Sequence, residues 1–320
     1  MTPHVSVVMA VRNGHKTLKE ALDSILEQTF QDFEFIIIDD ASDDATGAIL
    51  RQRNDPRIIR IRNNTNLGLA ASLNEGIRRA KGEYIARMDG DDVAPPNRFA
   101  IQVAFLDAHP AIGILGSSAR LIGKTGQRKG RYTAMPTHTL IKWRSLFGSP
   151  MIHPSIMARR SILLANPYDE TYRNSQDFEL WSRLLFGSTV QFANLKKPLL
   201  LYRVHQDSTS SKRTVEQKEL SMQTMFNNMA RYTDLSDQEV QALRTIRLGE
   251  QITGRIEKII FGLYRRLATS FISREPVTFK ERFAIYRFLI QSKWFIWKTR
   301  IRSMLNLAEL LPVHNRTTKK

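Results

Sequence analysis

The run VSVVMAV (Val5–Val11) is apolar at all but one position and stops at Arg12-Asn13-Gly14. A short apolar run closed by turn residues predicts a buried strand. In KTLKEALDSILEQ the residues Leu18, Ala21, Leu22, Ile25 and Leu26 recur at helical spacing, which predicts a helix with one apolar face. The alternation then repeats. FEFIIIDD reads as a second strand. DDATGAILRQR reads as a short helix capped by Ser42 or Asp43, RIIRIRN as a third strand, LAASLNEGIRRA as a helix ended by Lys81-Gly82, and EYIARMD as a fourth strand. Strands and helices in this order predict an α/β class built of right-handed βαβ units around a mostly parallel sheet.

Beyond Pro95-Pro96, NRFAIQVAFLDAHP predicts a helix and IGILGSSARLIG another strand. GKTGQRKGRYTAMPTH is polar and glycine-rich, a candidate flap between Gly123 and His138. A helix is expected around DFELWSRLLFG. From about Ser211 the alternation ends, and basic, aromatic helices are expected, notably GRIEKIIFGLYRRLATSFI and FKERFAIYRFLIQSKWFIWKTRIRSMLNLAELL. Only the final HNRTTKK reads as disordered. No internal repeat is visible.

In an open α/β sheet, ligands bind beyond the carboxyl ends of the strands. Those ends carry polar clusters here: Arg12-Asn13 after the first strand, Asp39-Asp40 after the second, and Asp89, Asp91 and Asp92 after the fourth. Such clusters are expected to converge on one crevice. Carboxylates crowded together in a chain of net charge +17 are tolerated in water or around a cation. Asp-x-Asp after a strand suits Mg²⁺ or Mn²⁺, a hard ion that keeps part of its shell for phosphate oxygens. Such an ion neutralises the charge that develops on a departing diphosphate.

The 320 residues allow one large domain or two modest ones. The absence of cysteine excludes disulfides and thiolate metal sites and is compatible with a reducing cytoplasm. No apolar run approaches the roughly 20 residues of a membrane-spanning helix, and the first apolar run is better explained as a strand than as a signal peptide. The positive charge is concentrated late: Arg255 to Lys320 holds fifteen Lys/Arg against four Asp/Glu, a net of +11. That bias points to a polyanionic partner.

The segments VSVVMAVRNG, SILEQTFQDFEFIIIDDASDDAT, NLGLAASLNEGIRRAKGEYIARMDGDD, HPSIMARRS, SQDFELWSRL and YRVHQDSTS stand in this order. Together they resemble family-2 glycosyltransferases, GT-A-fold enzymes that use nucleotide-sugar donors. The resemblance covers roughly residues 3–211. It implies a GT-A catalytic domain over 1–210, with nucleotide-sugar binding in 1–115 and the acceptor and catalytic part in 116–210. The remaining 211–320 form a helical basic region outside the resemblance. By this likeness Ala10, Arg12 and Asn13 shape the nucleotide pocket. Asp40 accepts a hydrogen bond from the base, typically N3–H of uracil. Asn66, Arg87 and Gly90 join the nucleotide-sugar set, Asp89 lies near the ribose and donor sugar, and Asp91 is the principal metal ligand. Asp177 stands at the second acid of the family's Glu-Asp motif, as general base of an inverting displacement; Gln176 replaces the first acid. Arg203 is expected to pair with phosphate, and His205 to complete the metal shell with Asp89 and Asp91. His153, Gln176 and Trp181 are expected on the acceptor side.

These expectations describe a transferase moving a sugar from a nucleotide diphosphate, UDP before dTDP or GDP, to a glycan or lipid-linked hydroxyl in cell-surface polysaccharide synthesis. A nucleic-acid-binding protein would explain the basic tail, but no binding motif accompanies it and an aspartate-lined crevice repels a phosphate backbone. A nucleotidyltransferase would need a glycine-rich basic phosphate loop that MAVRNGHKTLKE lacks, and a dinucleotide dehydrogenase fails on the missing G-x-G-x-x-G. The basic C-terminal helices suit either packing on the catalytic domain or peripheral attachment to an anionic membrane surface.

Overall fold

A computed structural model of the chain describes residues 2–204 and 215–309. The chain divides into two compact units, residues 1–225 and 226–320.

The first unit alternates as the apolar pattern predicts. β1 (Val5–Val11) leads to α1 (Leu18–Leu26), β2 (Phe33–Asp39), α2 (Thr46–Arg51), β3 (Ile58–Arg62), α3 (Leu69–Arg79) and β4 (Tyr84–Met88). Then follow α4 (Arg98–Ala108), β5 (Ile112–Ile122), β6 (Arg128–Tyr132), α5 (His138–Ser145), β7 (Met157–Arg159), α6 (Arg160–Ala165), α7 (Gln176–Gly187) and β8 (Gln191–Arg203). One mixed sheet runs β3-β2-β1-β4-β7-β5-β6, with β8 paired to the other edge of β5. β1 through β4 are mutually parallel and β8 is parallel to β5, whereas β7 runs antiparallel to both β4 and β5. All residues of β1, β2 and β4 are buried, as strands covered on both faces must be.

Apolar side chains pack on each face of the sheet. Val7, Met9, Phe35 and Ile37 meet α1 through Leu18, Leu22 and Ile25. Val8, Ile36 and Ile38 meet α3 through Ala70, Leu73 and Ile77. α3 approaches closely at Gly76, where a Cβ would come within 2.6 Å of Val8 Cγ1 and 2.8 Å of Ile38 Cδ1.

Two local expectations are corrected. The segment expected as a flap contains β6, hydrogen-bonded to β5 with Arg120 opposite Arg131; the hairpin partner supplies the order that its own composition does not signal. α2 begins at Thr46 with Ala45 before it and no side-chain cap. Ser42 is not the cap: its hydroxyl accepts the Asn13 N–H at 3.1 Å.

In the second unit α8 (Val215–Ala230), which begins before the division, is followed by α9 (Asp237–Leu248), α10 (Gly254–Arg274) and α11 (Phe279–Glu309). α9 opens on a reciprocal capping box between Ser236 and Glu239 and closes on Gly249 at φ 80°, a left-handed position that glycine adopts without strain. Arg266 of α10 donates to Glu239 at 2.7 and 3.1 Å, joining the two helices.

Candidate active site

The carboxyl ends of β1, β2 and β4 face one cavity of about 680 Å³. Its lining includes Ala10, Arg12, Asn13, Asp40, Asn66, Asp89, Gly90, Asp91 and Arg203, so nine of the residues singled out in the sequence meet there. The sequence reading did not single out Lys16, Thr17, Lys124 or Thr125, which also line it. Lys124 and Thr125 come from the β5–β6 turn, and the GKTG turn was the available signal.

The loops after β1 and β2 are latched together. Asn13 adopts φ 54° and its side-chain carbonyl accepts the Asp43 N–H at 3.1 Å. Thr46 accepts the Gly14 N–H at 2.9 Å. Asp44 faces His15 at 2.5 Å; burial pushes its carboxyl up, but hydrogen bonds from Thr46 and His15 outweigh that and hold it down to about 2. Asp39 is tied locally, accepting the Ser42 N–H at 2.9 Å. Asp40, 5% exposed, accepts from Asn63 Nδ2, Leu67 N and Gly68 N at 2.8–2.9 Å. Three donors fix the carboxylate where α3 begins, and about one of its four lone-pair sites remains for a ligand. Asn66 accepts the same Gly68 N–H at 3.1 Å.

Asp89, Asp91 and Asp92 offer oxygens that all lie within 4.8 Å of one another. Two arginines support this loop from below. Arg87 is 3% exposed and holds Asp89 at 2.5 Å. Burial lowers its pKa most strongly, but the charge and hydrogen bond of Asp89, with the charges of Tyr168 and Asp92, together outweigh burial and raise it. Arg98 is fully buried and donates to the Arg87 and Ile156 carbonyls; burial lowers it to about 9. Asp92 is also fully buried. Its Oδ1 accepts the Arg203 N–H at 2.7 Å, while Oδ2 has no hydrogen-bond partner. Burial, and then the charges of Asp89 and Asp91, push its carboxyl well above the ordinary range.

Arg203 is 3% exposed. Its guanidinium donates to the Asp91 carbonyl, to the Gly123 and Lys124 carbonyls and to Glu20 Oε2, at 2.7, 3.2, 2.9 and 2.5 Å. It therefore braces the cavity wall that it also lines, with most of its donors taken by carbonyls. Arg87 stands behind Asp89 rather than in the lining. His205 lies outside the described residues.

Asp177 sits half-buried in the first turn of α7 and accepts the Ser149 hydroxyl at 3.0 Å. Ser175 before it takes φ 62°, which turns the chain sharply into the helix. Gln176 is buried, and Trp181 is fully buried in the core. His153 is 8% exposed; its Nε2 meets the Tyr168 hydroxyl at 2.7 Å and its ring packs edge-on against Trp181. Burial, with the Arg87 charge adding, pushes His153 well below its usual range. Trp181 and His153 thus pack against each other in the interior.

The description "Glycosyl transferase family 2" matches residues 6–165. The chain is 37% identical over 217 residues to EpsE of Bacillus subtilis (strain 168), covering 66% of this chain and 76% of that one. It is 32% identical over 210 residues to the O-antigen biosynthesis glycosyltransferase WbnJ of Escherichia coli, covering 64% and 81%. Its fold resembles that of S. aureus TarS 1-349 in complex with UDP-GlcNAc, with a TM-score of 0.58 at 18% identity over 83% of this chain and 81% of that one. A mostly parallel sheet flanked by helices, with its strand ends opening on one cavity, is the GT-A architecture, and by sequence the chain belongs to glycosyl transferase family 2.

Proposed function

We propose that this glycosyltransferase is metal-dependent and inverting, and that it moves a sugar from a UDP-sugar to the hydroxyl of a glycan or lipid-linked acceptor in cell-surface polysaccharide synthesis. The observation that carries the reading is the trio Asp89, Asp91 and Asp92, whose oxygens lie within 4.8 Å of one another where the β4 end opens on the cavity. The residues fit Mn²⁺ or Mg²⁺: the donors are hard oxygens, and the buried Asp92 Oδ2 has no other partner. Asp91 and Asp89 would hold the ion, and when bound it would supply charge neutralisation for the diphosphate.

The chain's own groups do the rest. Asp40, pinned by Asn63, Leu67 and Gly68, accepts N3–H of uracil. Arg12 and Lys16 line the same cavity and add positive charge toward phosphate oxygens. Arg87 orients Asp89 through their ion pair. Asp177 accepts the proton of the attacking acceptor hydroxyl, and Ser149 fixes its rotamer. The TarS complex with UDP-GlcNAc favours UDP as the nucleotide, and WbnJ favours a polysaccharide acceptor.

Calorimetric titration of UDP tests the donor site. Binding is expected with Mn²⁺, absent with EDTA and absent in Asp91→Ala. Asp177→Asn should keep UDP binding and lose turnover by about 10²-fold or more. Failure of UDP, GDP and dTDP to bind wild type with metal rejects the proposal.

A further inference from the structure

The long helix α11 presents two different faces. Ile285, Leu289 and Ile296 are buried, as the core-facing side of a packed helix should be. Roughly 120° round the helix, Phe279, Phe283, Tyr286, Ile290, Trp294 and Trp297 are each 49–87% exposed. Their spacing of three and four residues places all six within roughly 80° of one another at about 100° per residue. They form one continuous stripe about 27 Å long. Scattered exposed apolar residues are ordinary; a contiguous aromatic stripe marks an interaction surface.

The shoulders of the stripe identify its partner. Lys280, Arg287 and Lys298 lie along one side by helical phase, Arg282 and Lys293 along the other, and all are exposed. The helix has two acids, Glu281 and Glu309; Glu281 is buried and accepts the Thr278 N–H and hydroxyl. A second copy laid against the stripe would set these cationic shoulders against each other. A nucleic acid would satisfy the charge and leave the aromatic side chains wet. An anionic bilayer surface satisfies both, with Trp, Tyr and Phe in the headgroup–acyl boundary and Lys and Arg on the phosphates. No described helix is long and apolar enough to cross a membrane, so the geometry is that of a helix lying in the interface plane.

We propose that α11 docks the protein on anionic lipid through this stripe, in the plane of the membrane surface. The inference stands on the second unit alone and does not depend on the donor-site reading. Tryptophan emission reports it directly: Trp143 and Trp181 are fully buried, whereas Trp294 and Trp297 are exposed on the stripe.

The full chain is mixed with phosphatidylcholine vesicles and with vesicles carrying phosphatidylglycerol at about one lipid in three. Partition into the anionic vesicles is expected with a blue shift of emission, at least tenfold tighter than into the neutral ones and weakened by added salt. The double variant Phe283→Ser/Trp294→Ser should lower that partition at least tenfold. The triple variant Lys280→Glu/Arg287→Glu/Lys298→Glu should abolish the lipid preference. Both variants should retain the wild-type circular dichroism, since every altered side chain is exposed. No partition into anionic vesicles, or equal partition into both kinds, overturns the proposal. So does a stable dimer in light scattering that Phe283→Ser/Trp294→Ser dissociates, because the stripe would then belong to a second copy.

Discussion

His153 carries a polar ring sealed among Tyr168, Trp181 and the charge of Arg87. A histidine whose folded pKa lies below its unfolded value of 6.5 stays neutral in the fold while the unfolded chain takes up the proton. Its contribution to stability is therefore complete above about pH 6.5 and lost as the pH falls below that value, at up to about 1.4 kcal/mol per pH unit. Urea unfolding between pH 7.5 and 5 should show a steeper decline in wild type than in His153→Gln, and equal slopes would contradict a buried neutral ring. Arg87 shows how much of a residue's role the sequence carried. The resemblance to family-2 glycosyltransferases put it in the nucleotide-sugar set, but a resemblance in sequence does not say whether a side chain enters the cavity or stands behind it. The fold settles that: every residue of β4 is buried, Arg87 among them.

At the scale of elements, the strands and helices up to β4 were legible because each is written in apolar periodicity. β6 was not, since RKGRY has no alternating apolar face and owes its shape to its pairing with β5. The meeting of Asp40, Asp89 and Asp91 was legible from the rule that parallel strands deliver their carboxyl ends to one side. The brace through Arg203 was not, because its contacts lie 79 to 183 residues away in sequence. That brace joins the end of β8 to the loop that carries Asp91, the β5–β6 turn and α1. Arg203→Ala should weaken Mn²⁺-dependent UDP binding at least tenfold in calorimetry. Glu20→Gln removes only the charge of one partner, half of whose surface is already in water, and should change binding less than threefold. Equal losses would mean that the ion pair, not the carbonyl contacts, holds the wall.

For the molecule as a whole, the net charge is +17, yet the floor of the cavity is acidic. Asp40, Asp89 and Asp91 share the lining with Arg12, Lys16 and Lys124. Under the proposed function a nucleotide diphosphate would be drawn from a distance by the sum of these charges and would meet the carboxylates only on arrival, where a cation would offset them. Association of UDP with the Mn²⁺-loaded protein should therefore slow several-fold between about 20 and 200 mM salt, a range over which the Debye length shrinks from roughly 20 to 7 Å. Stopped-flow rates independent of salt would show that the long-range field does not guide the ligand. The clustering of basic residues in the last fifth of the chain was plain in composition, but their arrangement as two shoulders around an aromatic stripe required the helix to be long and its buried face to be known.

The contacts that Arg203 makes across the cavity wall are mostly with main-chain oxygens: those of Asp91, Gly123 and Lys124. A wall tied in this way does not depend on which side chains it displays. Residues at the tip of the β5–β6 turn, Lys124 and Thr125 among them, are therefore open to replacement by mutation without loosening the loop that carries Asp91. Inheritance can rewrite what this turn displays to the cavity while the main-chain framework behind it passes on unchanged, which is the condition under which one scaffold diverges to serve many substrates.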